Sequence, residues 1–201
     1  MTLVFLLEEA SMAAFLEGLL PRLLPEGVDF RLIPHEGKSD LEKSIPRKLR
    51  GWRTLNTHTH THTRFVIVRD QDAADCRAIK ARLVSLCAEA GHPNTLVRIA
   101  CRELEAWLLG DLAAVGQALD KPELATRQNE KKFRQPDSLG NPSQELDLLA
   151  PGHGKIGRAR AVGPVIDLEG GRSTSFQQFV RGVLRVASDP GPQPTTSATL
   201  S

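Results

Sequence analysis

Leu3 to Leu7 is an unbroken apolar run, as expected for a strand buried on both faces of a parallel sheet, and it ends in the acids Glu8 and Glu9. Ser11 is placed to cap a helix with Met12, Phe15, Leu16, Leu19 and Leu20 on its apolar face, ended or kinked by Pro21. Val28, Phe30 and Leu32 alternate with charged neighbours and predict a second strand. Ser39 to Trp52 predicts a helix that Pro46 bends or divides. Phe65 to Val68 is another buried strand, running straight into Asp70. Cys76, Ile79, Leu83, Leu86, Cys87 and Ala90 then recur at helical spacing, with Gly91 in the place of a C-terminal cap. Leu96 to Cys101 predicts a strand and Glu103 to Leu109 a helix directly after it.

From Asp120 to Gly154 the pattern weakens, broken by Pro136, Gly140, Pro142 and Pro151, and Phe176, Phe179, Val180, Val183 and Leu184 mark a last amphipathic helix. The alternation predicts an α/β fold: a mostly parallel sheet with helices on both faces, plus a helical C-terminal extension. The expected organisation is a single domain over residues 1–187, helical from about 111, and a disordered tail over 188–201, where Pro, Gly, Ser and Thr dominate.

Composition narrows the classes. The chain has 201 residues, 40% hydrophobic and 25% charged, as in ordinary globular domains. A formal net charge of +2 neither marks a nucleic-acid binder nor excludes one. The cysteines Cys76, Cys87 and Cys101 show no CxxC spacing, so no zinc ribbon or disulfide framework is supported, and they read as buried thiols in a reducing compartment. The first residues lack a basic stretch and reach acid quickly, so the expectation is a cytoplasmic protein without signal peptide or membrane span. The chain contains no tyrosine.

Ligands of parallel sheets gather beyond the carboxyl ends of the strands, and the acids of this chain fall there. They are Glu8 and Glu9, then Asp70 and Asp72, then the stretch from Glu103 to Asp111. Two acids at i, i+2 point the same way on extended chain, so Asp70 and Asp72 can share one ion. Hard divalent cations take such carboxylates together with waters and phosphate oxygens. The plainer reading is that acids at helix starts only cap them and meet the helix dipole, which would account for Asp72 and Glu103.

Basic residues cluster twice. Lys43, Arg47, Lys48, Arg50 and Arg53 surround Trp52, and Lys155, Arg158, Arg160 and Arg172 follow later. Both groups can hold phosphate, and the first can equally be a solvated helix face. His58, His60 and His62 alternate with threonine; on a strand they would present one metal-binding face, but a variable surface loop is the preferred reading. Trp107, among Leu104, Leu108 and Leu109, reads as a core anchor.

The segments LLEEASMAAFL, GKSDLEK, VRDQDAADC, RELEAWLLGD, FRQPDSL, KIGRARAVGPVIDL and RSTSFQQFV resemble a bacterial family called domain of unknown function 4276, grouped with Toprim-like proteins and related in fold to OLD-type nucleases. The resemblance spans nearly the whole chain, to Ala187. It implies a Toprim-like fold with Glu8 as metal ligand or general acid/base, Asp70 and Asp72 as the metal pair, and Glu105 as a further site acid. Relatives read Val-Glu-Gly where this chain has Leu-Glu-Glu, which adds Glu9 to the acids, and Asp111 is another candidate. Lys155 and Arg160 recur in the family motif, and with Arg172 they are the expected phosphate-binding set. The resemblance also implies Mg2+ or Mn2+ as cofactor and an AAA- or ABC-type ATPase encoded nearby, as in phage-defence pairs. It leaves room for a homo-oligomer.

Without tyrosine the chain is not by itself a topoisomerase. Hydrolysis needs only activated water and electrostatic stabilisation, so a metal-dependent nuclease acting on nucleic-acid phosphodiesters is the leading expectation. The alternatives are a non-catalytic or partner-gated subunit and, less well supported, a DxD phosphotransferase, whose DxD belongs on the first strand.

Overall fold

The computed structural model describes residues 1–55 and 62–189. Four parallel strands, β1 (Thr2–Leu7), β2 (Asp29–Pro34), β3 (Thr63–Asp70) and β4 (Leu96–Ala100), form one sheet in the order β2-β1-β3-β4. Between them run α1 (Ala10–Leu23), α2 (Lys38–Leu55) and α3 (Cys76–Glu89). After β4 come α4 (Leu104–Leu109), α5 (Leu112–Ala118), α6 (Leu124–Arg127), α7 (Pro142–Leu149), α8 (Lys155–Val162) and α9 (Thr174–Ser188). The α/β class, the mostly parallel sheet and the helical C-terminal segment are as the hydrophobic pattern predicts.

Residues Leu3 to Leu7 are all fully buried because each strand face has its own core. Leu3, Phe5, Leu7, Val66 and Val68 pack with α1 and the C-terminal helices. Val4, Leu6, Phe65 and Ile67 pack with Leu41, Ile45 and Leu49 of α2 and Ile79, Leu83 and Cys87 of α3. The helix after β1 thus covers one face and the helices flanking β3 the other. The crevice at the carboxyl ends of β1 and β3 is therefore a topological switch point, where open α/β sheets bind ligands.

Local details depart from the predicted elements. Ser11 lies inside α1, and its hydroxyl donates to Glu9 (2.6 Å) instead of capping, because the helix begins at Ala10. α1 passes Pro21 and ends at Leu23, and α2 passes Pro46 without interruption. Gly91 does adopt positive φ (85°) after α3. Cys87 is buried, whereas Cys76 and Cys101 are only half-buried. Trp107 is fully buried, donating its indole N–H to Ser175 (2.8 Å). Trp52 packs edge-on against Phe65 (ring centroids 5.9 Å), which uses it in the second core and not as a stacking platform. Ser188 closes α9 and Asp189 pairs with Arg64 (2.9 Å), so the first two residues of the expected tail are part of the fold, and residues 190–201 lie outside the described residues. No helix among the described residues is long and apolar enough to cross a membrane.

Candidate acidic site at the carboxyl edge of the sheet

Strand alternation decides which acids meet. Leu7 and Val68 face the first core, so Glu8 and Arg69, next in register, turn toward α2, while Glu9 and Asp70 turn toward α4 and α8. On the α2 side, the Glu8 carboxylate accepts the Asp70 N–H (3.0 Å) and lies 3.7 Å from Arg69 Nε. Arg69, almost completely buried, donates to Glu42 (2.9 Å), which also pairs with Arg82 (2.7 Å). Burial holds the Glu8 carboxyl above the usual glutamate range against the pull of the Asp70 N–H, and nearby Asp72 pushes it further up.

On the other side, Asp70 is 5% exposed and Glu105 2%. Burial pushes Asp70 well above the usual aspartate range, and the Glu105 charge adds to that. Burial likewise raises Glu105, opposed mainly by Lys155. Asp70 Oδ1 and Glu105 Oε2 are buried without any hydrogen-bond partner. The cation that faces them is Lys155, the first residue of α8. Its Nζ lies 2.5 Å from Glu9 Oε1 and 3.7 Å from Glu105 Oε1. Burial pulls the Lys155 ammonium down, but Glu105, Glu9 and Asp70 together outweigh it and hold the amine protonated.

Asp72 does not continue the extended chain. It has φ 55° and pairs with Lys38 (3.0 Å), so the i, i+2 argument for a shared face with Asp70 fails at this bend. Arg102, after β4, is also left-handed (φ 68°). The two loops are tied together: Asp72 N–H donates to Arg102 O (2.8 Å), Arg102 N–H to the Gln71 side chain (3.3 Å), and the Arg102 guanidinium to Asp72 O (3.3 Å). Left-handed non-glycine residues cost about 1–2 kcal/mol each, and such strain gathers at functional sites.

The remaining candidates fall outside this centre. α4 begins at Leu104, so Glu105 as well as Glu103 stands at a helix start. Glu103 turns away and accepts the Ser143 N–H of α7 (2.9 Å), while Leu104 and Leu108 pack the core. Asp111 caps α5 through Ala114 N–H (3.0 Å) and accepts Asp167 N–H (2.8 Å). Arg172 donates its guanidinium to Gln128 O (2.7 Å) and Asn129 Oδ1 (2.8 Å). Arg160 is exposed on α8, and Arg158 is buried against Asp147. His62 is exposed ahead of β3, and His58, His60 and the Arg53 side chain lie outside the described residues.

A divalent cation is the group this donor set invites. Among the described residues no three His, Cys, Asp or Glu side chains are gathered closely enough to hold a metal ion as they stand. The two partnerless carboxylate oxygens nevertheless suit one, since each lacks the hydrogen-bonding neighbour whose place an ion would take. The site lines neither of the two larger cavities, of about 430 and 440 Å³, which lie beside the outer edge of β4 and beside residues 131–139.

The fold and its centre define an α/β protein with an acidic cluster at the carboxyl edge of a parallel sheet. Over residues 7–184 the chain matches the family described as Domain of unknown function (DUF4276), and it belongs to that family. No curated protein and no solved structure matches it.

Proposed function

We propose that the protein is a Toprim-like, Mg2+- or Mn2+-dependent nuclease hydrolysing nucleic-acid phosphodiesters. The observation that carries this reading is the pair of buried, partnerless carboxylate oxygens of Asp70 and Glu105 beside the switch point. Asp70 would be the central ligand, with Glu105 and Glu9 on the α8 side as the acids that would complete the metal's coordination, while Glu8 and Asp72, expected ligands from the resemblance, stand on the α2 side and beyond the bend. When bound, the ion would polarise a phosphoryl oxygen and acidify water.

The chain's own residues supply the rest. Glu8, held by the Asp70 N–H and kept above its usual range by burial, is suited to take a proton from the attacking water or return one to the leaving oxygen. Water attacks phosphorus, the bond to one sugar oxygen breaks, that oxygen is protonated, and a phosphate monoester and an alcohol result. Lys155 and Arg160 are the cations of α8 available for the phosphate backbone.

The second reading is a partner-gated subunit, in which Lys155 among the site acids blocks the centre until it is moved; an AAA- or ABC-type ATPase as that partner, in a phage-defence pair, rests on the resemblance alone. Cleavage of single- and double-stranded DNA and RNA should be assayed with Mg2+, Mn2+ or chelator, with and without any such ATPase. Activity is expected to need the metal, to vanish in Asp70→Ala and Glu105→Gln, and to survive in Glu103→Gln, whose amide oxygen can still accept the Ser143 N–H and which gives up only the charge, at a cost of about 1 kcal/mol. Equal cleavage by Asp70→Ala and wild type would end the nuclease reading.

A further inference from the structure

We propose that Lys155 is the resident counter-ion of the acidic centre, which a divalent cation must displace, so that this side chain sets the affinity for the metal. The inference rests on the metal-centre reading above and concerns the regulation of that site.

Three acids, Glu9, Asp70 and Glu105, face the Lys155 end of α8, and the only cation within ion-pair distance of any of them, among the described residues, is Lys155. One ammonium cannot satisfy all three. It closes on Glu9 at 2.5 Å, stands off Glu105 at 3.7 Å, and leaves Asp70 Oδ1 and Glu105 Oε2 bare. A divalent ion brings twice the charge and up to six oxygen-coordination positions, and so serves these acids better than the lysine does.

The contacts also show how exchange can happen. The Lys155 side chain is 36% exposed and that of Glu9 33%, so the pair sits at the rim, whereas Asp70 and Glu105 form the floor. Lysine is a point charge on a flexible four-carbon stem, and it can swing outward without unfolding anything. Lys155 is the first residue of α8, next to Gly154, where no helical turn precedes it. Released from Glu9, the ammonium remains tethered at the mouth, where the phosphate of a substrate would arrive. The lysine and the metal therefore exclude each other on the floor of the site and cooperate once a phosphate is present.

A docked lysine lowers the apparent affinity of the ion by the fraction of time the acids are free. If the lysine is docked nine-tenths of the time, its removal tightens binding about tenfold. The test is Mn2+ binding to the full chain, followed by the electron paramagnetic resonance signal of free Mn2+ and by calorimetry, without nucleic acid. Lys155→Met is expected to bind Mn2+ about tenfold more tightly than wild type, and Lys155→Arg no more tightly than wild type. Lys155→Gln, which can still donate to Glu9, provides a neutral variant if Lys155→Met does not fold, with circular dichroism as the check. Equal or weaker binding by the neutral variants, with wild type binding normally, would overturn the counter-ion role and leave the metal centre standing. Absence of Mn2+ binding in wild type and variants alike would remove both.

Discussion

Asp70 and Glu105 are buried side by side with one lysine between them and the solvent, and this shapes how the protein responds to pH. An acid whose pKa is raised by folding stabilises the native state below its ordinary range and loses that contribution as pH rises through the shifted value. Asp70, Glu105 and Glu8 are all raised, chiefly by burial, so in chelator each acts against the fold toward neutral pH. Asp70→Asn removes one of these charges and supplies an amide able to donate to the bare Glu105 oxygen. It should be more stable than wild type by about 1–3 kcal/mol at about pH 8 in chelator, and closely similar at about pH 2.5, below the ordinary aspartate range, where Asp70 is protonated in both states. At this chain length each kcal/mol corresponds to about 2–4 °C in Tm. The same variant should lose the Mn2+-dependent rise in Tm. A Tm below wild type at both pH values would mean that Asp70 serves packing.

At this scale the sequence was informative about position and less so about direction. The apolar run before Glu8 and the run before Asp70 announce two strand ends, and both acids stand there. That Glu9 instead of Glu8 joins Asp70 on the α8 side follows from strand alternation, a signal already present in the register of Leu7 with Val68. Lys155 was visible as a motif residue, but its place between acids far away in sequence was not. Arg172 and Asp111 show the same limit. Both also hold backbone groups of the fold, and those partners have no sequence signature.

At the level of elements, the site depends on how closely α8 lies on α1. A Cβ at Gly163, just after α8, would overlap the carbonyl oxygen of Phe15, and one at Gly18 would come within 2.6 Å of Pro164. The requirement at Gly163 is room for backbone against backbone. Gly163→Ala should therefore cost about 1–3 kcal/mol, the usual range for overpacking, and shift α8 outward together with Lys155. Gly157 in the same helix has nothing within 4 Å of its would-be Cβ. Gly157→Ala should be neutral or stabilise by up to about 1 kcal/mol through helix propensity. Thermal melts of the two variants separate close packing from propensity, and equal melting temperatures would refute the contact. The short helices α6 and α7, of four and eight residues, explain why the pattern weakens between 120 and 154. Each is too short to show a helical period, and each is held by tertiary contacts.

Across the whole molecule, the strands supply only part of the site. Glu8, Glu9, Asp70 and Asp72 follow β1 and β3, but Glu105 and Lys155 come from the helical segment that folds back over the first core. That return is anchored by α9, whose Phe176, Phe179, Val180 and Val183 are buried, with Phe176 and Phe179 against Trp107 at centroid distances of 5.4 and 5.1 Å. Four such side chains, each worth about 1.5–3 kcal/mol, together match the about 5–15 kcal/mol that keeps a typical domain folded. A chain ending at Arg172, without α9, should thus fail to fold cooperatively and leave the first core open. Residues 190–201 are Pro, Gly, Gln, Ser, Thr, Ala and Leu, with little apolar surface to offset the entropy of ordering them. The Asp189–Arg64 pair is half in solvent at its acid end and contributes at most about 1 kcal/mol. A chain ending at Asp189 should keep the wild-type Tm and the wild-type response to Mn2+, and one ending at Ala187 should lose no more than about 4 °C. Differential scanning calorimetry of the three shortened chains beside wild type checks this. A loss of many degrees on removing 190–201 alone would place part of the fold's stability in that segment.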